Sequence, residues 1–484
     1  MATKKLAVFA MSGMLSVTEA FWRMECRGST GTARIDPIVD FGMISSHSHV
    51  VHGSSGFSMT SKYDDLRNGD CTSCAVKQDK SAYWTPNVYF RDDATGDFTP
   101  VNQVGGMLAY YLVRGENVSA FPPGFQMVAG NNLRRDYTVG SPFVPDPPQS
   151  NWAALNQVNQ VDLSQRAIGF NCLNYAATPE PSLFRHYLPN KTYTDANCLD
   201  GVRFELMFPS CWNGELDSPD HQSHVAYPSL VGDGDCPDTH PLRLVTLFFE
   251  TIWDMHNTNF LGKSGSFVIA NGDETGFGYH GDFMSGWDQS FLQSAVDTCT
   301  NESGELGDCG VFTSNGPLLT QAEQGQCKFN MPSVLANENV LDVLKELPGG
   351  LPIQNGPQSA TLPGSAPTVQ ANSKPSPTPH AVPSRDTHAD DAAVASVAVG
   401  GNAAPIVSSP PAITPAPQGV PASEPSFQVV STQYTTIGDV VEEVVWVQPV
   451  VYVTKDTVST VTVPASAPKK VRGHNHHRHV VAGQ

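Results

Sequence analysis

Long hydrophobic runs are missing from this sequence. The stretch Leu6 to Val17 is shorter than the roughly 20 apolar residues a membrane-spanning helix needs, and no later segment reaches that length, so no transmembrane segment is expected. Positive charge is also scarce. Against 47 Asp and Glu stand 28 Lys and Arg, a formal charge of −19, and phosphate recognition needs a basic face that such a chain does not offer. Nucleic acid is therefore not an expected partner. The sequence contains neither the zincin His-Glu-x-x-His pattern nor a Gly-x-Ser-x-Gly nucleophile elbow, which removes the hydrolase classes those motifs mark. Helical periodicity is nearly absent as well, showing chiefly at Gln289 to Thr298 and at Val334 to Leu347.

What is present points outside the cell. Lys4 and Lys5 precede the apolar run, and small residues follow at Thr18 and Ala20, the pattern of a secretory signal peptide over residues 1–20. Ten cysteines lie after it, from Cys26 to Cys327, an even number in an oxidising route, so five disulfides are expected. Cys71 and Cys74 have thioredoxin-like spacing but no strand-then-helix context, which favours a structural role. Asn117-Val-Ser, Asn190-Lys-Thr and Asn301-Glu-Ser are glycosylation acceptor patterns. The expected location is secreted, extracellular or in a cell wall.

Residues 21–347 have the composition of one globular domain. Short apolar segments such as Gly201 to Phe208 and Leu242 to Glu250 have strand-like length and are punctuated by Pro, Gly, Asn and Asp. They predict a mainly β, sandwich-like domain with long disulfide-stabilised loops. Residues 348–426 turn to Pro, Ser, Ala and Thr, too little apolar surface to offset the entropy of ordering, and read as a disordered linker. A Val/Thr-rich segment, 427–463, has high β propensity, and the end, 464–484, is basic and histidine-rich.

Three polar clusters stand out. In Ser45-Ser-His-Ser-His-Val-Val-His-Gly53, an extended chain puts His47 and His49 on one face, and His52 is close by. Asp220-His-Gln-Ser-His-Val-Ala-Tyr-Pro228 places His221 and His224 beside Asp220 and Tyr227. Gly276-Phe-Gly-Tyr-His-Gly-Asp-Phe283 carries His280 and Asp282 in a glycine-rich setting. As a metal site, His47 and His49 join one of His221, His224 or His280 with Asp220 or Asp282 around a divalent cation. As a metal-free site, His49, His221 or Tyr227 acts as base while Arg185 or Arg34 stabilises negative charge, a layout suited to cleaving an acidic polysaccharide. The bland reading is that these side chains satisfy loop carbonyls and anchor turns. Glu205 and Glu250, on two candidate strands, form a further acidic pair of the kind that hydrolyses glycosidic bonds.

The runs Phe21 to Gly28, Ala33 to Val39, Ser46-His-Ser-His49, Asp70 to Ala75, Ser81 to Pro86, Gly105 to Tyr111, Phe208 to Asn213 and Asp220 to Pro228 together resemble the fungal secreted family filed as domain of unknown function 1996. The resemblance covers about 21–309. It implies a fungal, extracellular or wall-associated protein and carries over His47, His49, His52, Asp220, His221, His224, Tyr227, His280 and Asp282 as motif positions. Two functions follow as expectations. One is a carbohydrate-active enzyme on wall or host polysaccharide; the other is a non-enzymatic protein that binds glycan or protein within the wall matrix.

Overall fold

The computed structural model describes residues 20–314 and 316–362, and the backbone of 427–437 and 440–449. Residues 1–19, which fall in the expected signal peptide, 363–426, in the expected linker, and 450–484, which end the Val/Thr-rich segment and hold the basic tail, lie outside the described residues.

Alternation of side chains builds the fold. Ala20–Cys26 reads AFWRMEC, and its buried positions fall on every second residue, as expected where a strand has one face against a core. Ten strands assemble in this way: β1 (Ala20–Cys26), β2 (Gly31–Ala33), β3 (His49–Gly53), β4 (Ala82–Pro86), β5 (Gln103–Val113), β6 (Gln126–Gly130), β7 (Ile168–Cys172), β8 (Val202–Met207), β9 (Thr246–Trp253) and β10 (His280–Met284). They form two five-stranded antiparallel sheets, one ordered β1-β5-β9-β8-β7 and the other β2-β3-β4-β10-β6. The fold is mainly β and sandwich-like, as the sequence pattern predicts.

The sheets meet through large side chains. Tyr83 of β4 packs edge-on to Phe249 of β9 with ring centroids 5.7 Å apart, and Tyr279 sits at 5.3 Å from Phe204 of β8. Gly281 marks a close approach, because a Cβ there would lie 2.7 Å from Leu206 Cδ2. A polar chain crosses this interior: Tyr83 donates to Asp79 at 2.5 Å, the Tyr83 and Tyr111 hydroxyls meet at 2.6 Å, and Trp287 Nε1 donates to Tyr111 at 2.8 Å.

The outer face of the second sheet is not left to solvent. Ile35, Ile38, Phe57, Leu66, Phe329 and Leu335 cover Val51, Trp84, Val128 and Met284 in a separate apolar cluster. Five disulfides hold the loops, Cys26–Cys74, Cys71–Cys327, Cys172–Cys198, Cys211–Cys236 and Cys299–Cys309. Cys71 and Cys74 are both structural, each with a distant partner.

Two expectations need correction. Gln289–Thr298 is an α-helix, N-capped by Asp288, whose side chain accepts from Phe291 N, but 334–347 is not helical. Its apolar residues serve another purpose: Leu344 exchanges backbone bonds with Phe98, and Val340 O accepts from Tyr89. Packing also continues past Leu347, since Leu351 is buried and Ile353 and Leu362 lie against the same cluster. In a separate unit, Phe427–Ile437 pairs antiparallel with Val440–Pro449. Among the described residues no helix is long and apolar enough to cross a membrane.

Candidate metal centre

The alternation that shapes the second sheet also gathers its histidines. On β10, Gly281 and Phe283 face the sandwich interior, so His280 and Asp282 face out, beneath the covering layer. On β3, Val50 faces inward and His49 outward. β4 lies between β3 and β10, with Pro86 opposite His49 and Trp84 opposite Asp282. His47, just before β3, points the same way as His49, their rings 4.3 Å apart.

Two overlapping groups result. His47, His49 and His280 each offer a nitrogen, and Asp36, His49 and Asp282 each offer a ligand atom; within each group these atoms lie within 4.8 Å of one another. The Nε2 atoms of His47 and His280 are 3.0 Å apart. All five residues are buried, none more than 3% exposed.

Their remaining bonds orient them. His49 Nδ1 faces the Ile35 carbonyl at 3.1 Å and His280 Nδ1 the Gly278 carbonyl at 3.0 Å. A nitrogen facing a carbonyl carries the proton, which leaves each Nε2 lone pair for an ion. Asp36 Oδ1 accepts the amides of Ile38 and Val39. By contrast His49 Nε2 and both oxygens of Asp282 have no hydrogen-bond partner among the described residues.

The electrostatics agree. Burial, reinforced for His47 and His49 by the neighbouring imidazoles, holds both well below the usual histidine range and His280 at about 4. The imidazoles are thus neutral, the form that binds metal. Burial raises Asp36 to about 6 and, with Asp36 and Asp40 nearby, raises Asp282 well above the usual carboxylate value. The nearest arginines are engaged elsewhere, Arg34 with Glu338 at 2.7 Å and Arg135 with Asp273 at 3.7 Å. Two buried carboxylates without a cation are costly, and a divalent ion offsets that cost. Three imidazoles with two carboxylates suit a first-row transition metal such as zinc, manganese or iron better than calcium.

A family model described as Domain of unknown function (DUF1996) matches residues 36–287. The chain belongs to this family. The matched span of the DUF1996 chain begins at Asp36 and includes all five candidate ligands. No curated protein and no solved structure matches it.

The remaining sequence-selected residues of the DUF1996 domain lie apart from the centre. His52 is three positions from His49, so alternation turns it to the other face, where it bonds Gly28 O at 3.0 Å and Gln103 at 3.1 Å. His224 spends both nitrogens, on Ser218 and on the Gln126 carbonyl. Asp220 is exposed and closes a turn by accepting from Ser218, Gln222 and Ser223, bonds that hold its carboxyl well below the usual range despite slight burial. Tyr227 donates to the Met207 carbonyl and burial pushes its hydroxyl up, away from any role as base. Arg185 forks onto Glu180 and reaches Tyr193.

His221 is the exception. It bonds Asp217 at 2.9 Å and lines a cleft of about 490 Å³ with Ile38, Lys62, Gln126 and Met284. Ile38 and Met284 are two residues from Asp36 and Asp282, so this cleft adjoins the buried centre. Asp36 is a candidate ligand that the sequence pattern does not single out. It stands before Pro37, and Asp-Pro reads as a turn.

Proposed function

We propose that this chain is an extracellular metalloprotein acting on wall or host polysaccharide, with a divalent cation held by His47, His49, His280, Asp36 and Asp282. The observation that carries this reading is Asp282, a fully buried carboxylate on β10 of the second sheet whose two oxygens have no partner among the described residues. Secretion is supported by the residue 1–20 pattern, the five disulfides and the exposure of Asn117, Asn190 and Asn301 in their acceptor sequences. The resemblance named above supports a fungal source. When bound, the ion would supply Lewis-acid polarisation of a substrate oxygen or activation of a water. The cleft at His221 is the approach from solvent, and His221, set by Asp217, is the proton-transferring group on that side.

A second reading rests on the burial of all five ligands. Structural metal sites are closed by protein ligands, whereas catalytic ones keep an open position. On this reading the ion locks the covering layer onto the sheet in a non-enzymatic glycan- or protein-binding wall protein.

The two separate in one experiment. The full chain is incubated with neutral and acidic polysaccharides, metal-loaded or chelated, and product release is followed together with the melting temperature. Turnover that disappears on chelation and in Asp282→Asn supports the enzyme. A fall in melting temperature with no turnover in the loaded protein supports the structural ion and sinks the catalytic reading.

A further inference from the structure

The first sheet has its own outer face, on the side of the sandwich away from the histidines. Because side chains alternate, Phe21 of β1, Tyr110 of β5 and Phe248 of β9 all project from it, opposite the interior-facing Trp22, Tyr111 and Phe249. Their ring centroids run 6.3 and then 5.7 Å apart across three neighbouring strands. This strip floors a groove of about 720 Å³, well within the size of small-molecule sites. Pro145 to Trp152 forms one wall and Pro181 to His186 another.

Charged groups sit among the rings, in compensated sets. Arg166 pairs with Asp146 at 2.8 Å and lies 4.2 Å over the Trp152 ring, and Asp146 also faces His186 at 3.3 Å. Arg203 lies between Glu205 at 2.7 Å and Glu250 at 3.5 Å, and Glu250 meets the Tyr110 hydroxyl. Glu205 is wholly buried behind; of the pair at the groove, Arg203 is partly exposed and Glu250 is nearly buried beneath it.

We propose that this groove binds a neutral oligosaccharide chain, with pyranose faces on the partly exposed rings of Phe21, Tyr110 and Phe184 and sugar hydroxyls reaching Arg203 and Asp146, the more exposed members of the Arg203–Glu250 and Arg166–Asp146 pairs. The inference extends the glycan reading above to a second face and rests on it for biological sense. The lining selects the ligand class. A lipid would bury these charged groups without giving them new partners, at high cost. An anionic polymer would find its arginines already countered by carboxylates. An extended peptide binds by adding to a sheet edge, but this floor is a sheet face whose ladder bonds are already made. A neutral sugar has an apolar ring face for the aromatics and hydroxyls that both donate to carboxylates and accept from guanidinium.

The test is calorimetric titration of the full chain with hexasaccharides of β-1,3-glucose, β-1,4-glucose and β-1,4-N-acetylglucosamine, and with oligogalacturonate as the anionic control. Binding of at least one neutral hexasaccharide is expected. It should weaken about tenfold or more in Phe184→Ala, which removes a rim ring already 38% exposed, with melting temperature unchanged, and in folded Glu250→Gln, which preserves shape. His49→Ala, in the metal centre, should leave it intact, and the groove variants should retain metal, so failure of one site is distinguishable from failure of the other. No binding by any neutral sugar, tighter binding of oligogalacturonate, or binding that survives in folded Phe184→Ala and Glu250→Gln would each overturn the proposal.

Discussion

His47 and His280 are 233 residues apart in the chain, yet their Nε2 atoms lie 3.0 Å from each other beneath a covering apolar layer. The two nitrogens are within hydrogen-bonding distance of each other, and with His49 Nε2, which has no partner among the described residues, they form a group of three imidazoles that one cation could join.

Histidines that serve only structure should behave differently from those of the centre. His52→Ala and His224→Ala each strand buried carbonyl or amide partners, and each is expected to lower stability by about 1–3 kcal/mol without changing metal content. Denaturant unfolding paired with metal analysis checks this; metal lost from either folded variant would return that histidine to the ligand set.

Asp79 gives the domain a pH dependence that has nothing to do with metal. Burial raises its pKa from 3.8 to about 6, against the lowering effect of its bonds to Tyr83 and Ser81. The folded state therefore holds this proton more tightly than the unfolded chain. The group's contribution is most favourable below about pH 4, declines as pH rises through 6, and is then constant, a total change of about 3 kcal/mol. Asp79→Asn should remove this part of the slope. Wild-type and variant stability curves that run parallel between pH 4 and 7 would contradict the assignment.

The Cys71–Cys327 bridge closes a separation of 256 residues and fastens the end that carries Phe329 over the second sheet, whereas Cys299–Cys309 closes 10. Loop-closure entropy makes the first worth about 5 kcal/mol and the second about 3. Because the first also holds the cover of the metal centre, the Cys71→Ser/Cys327→Ser double variant should bind metal more weakly, and the Cys299→Ser/Cys309→Ser variant should not. Equal metal retention in the two would separate the covering layer from the centre.

Much of this was legible in the sequence where the signal was a period. Strand alternation predicts that His47 and His49 share a face, and the same rule, carried one step further, expels His52. The helix at Gln289–Thr298 is announced by Asp288 at its cap. Failure came where distant contacts decide the conformation. Residues 334–347 have helix-like apolar spacing, but Leu344 and Val340 bond to the strand segment around Phe98 and to Tyr89, which holds them in turns and a single β-bridge. His221, His224 and Tyr227 cluster in sequence because they belong to one compact turn region, and each satisfies a different local group. Asp36 carried only the signature of a turn, since what makes it a candidate ligand is the carboxylate of Asp282, 246 positions away in the numbering.

The most direct measurement is the metal content of the purified full chain and of His49→Ala and Asp282→Asn. The account predicts about one first-row divalent ion per folded chain, lost from both variants. Folded wild-type protein that takes up no such ion, even when it is supplied in excess, would contradict the account at its centre.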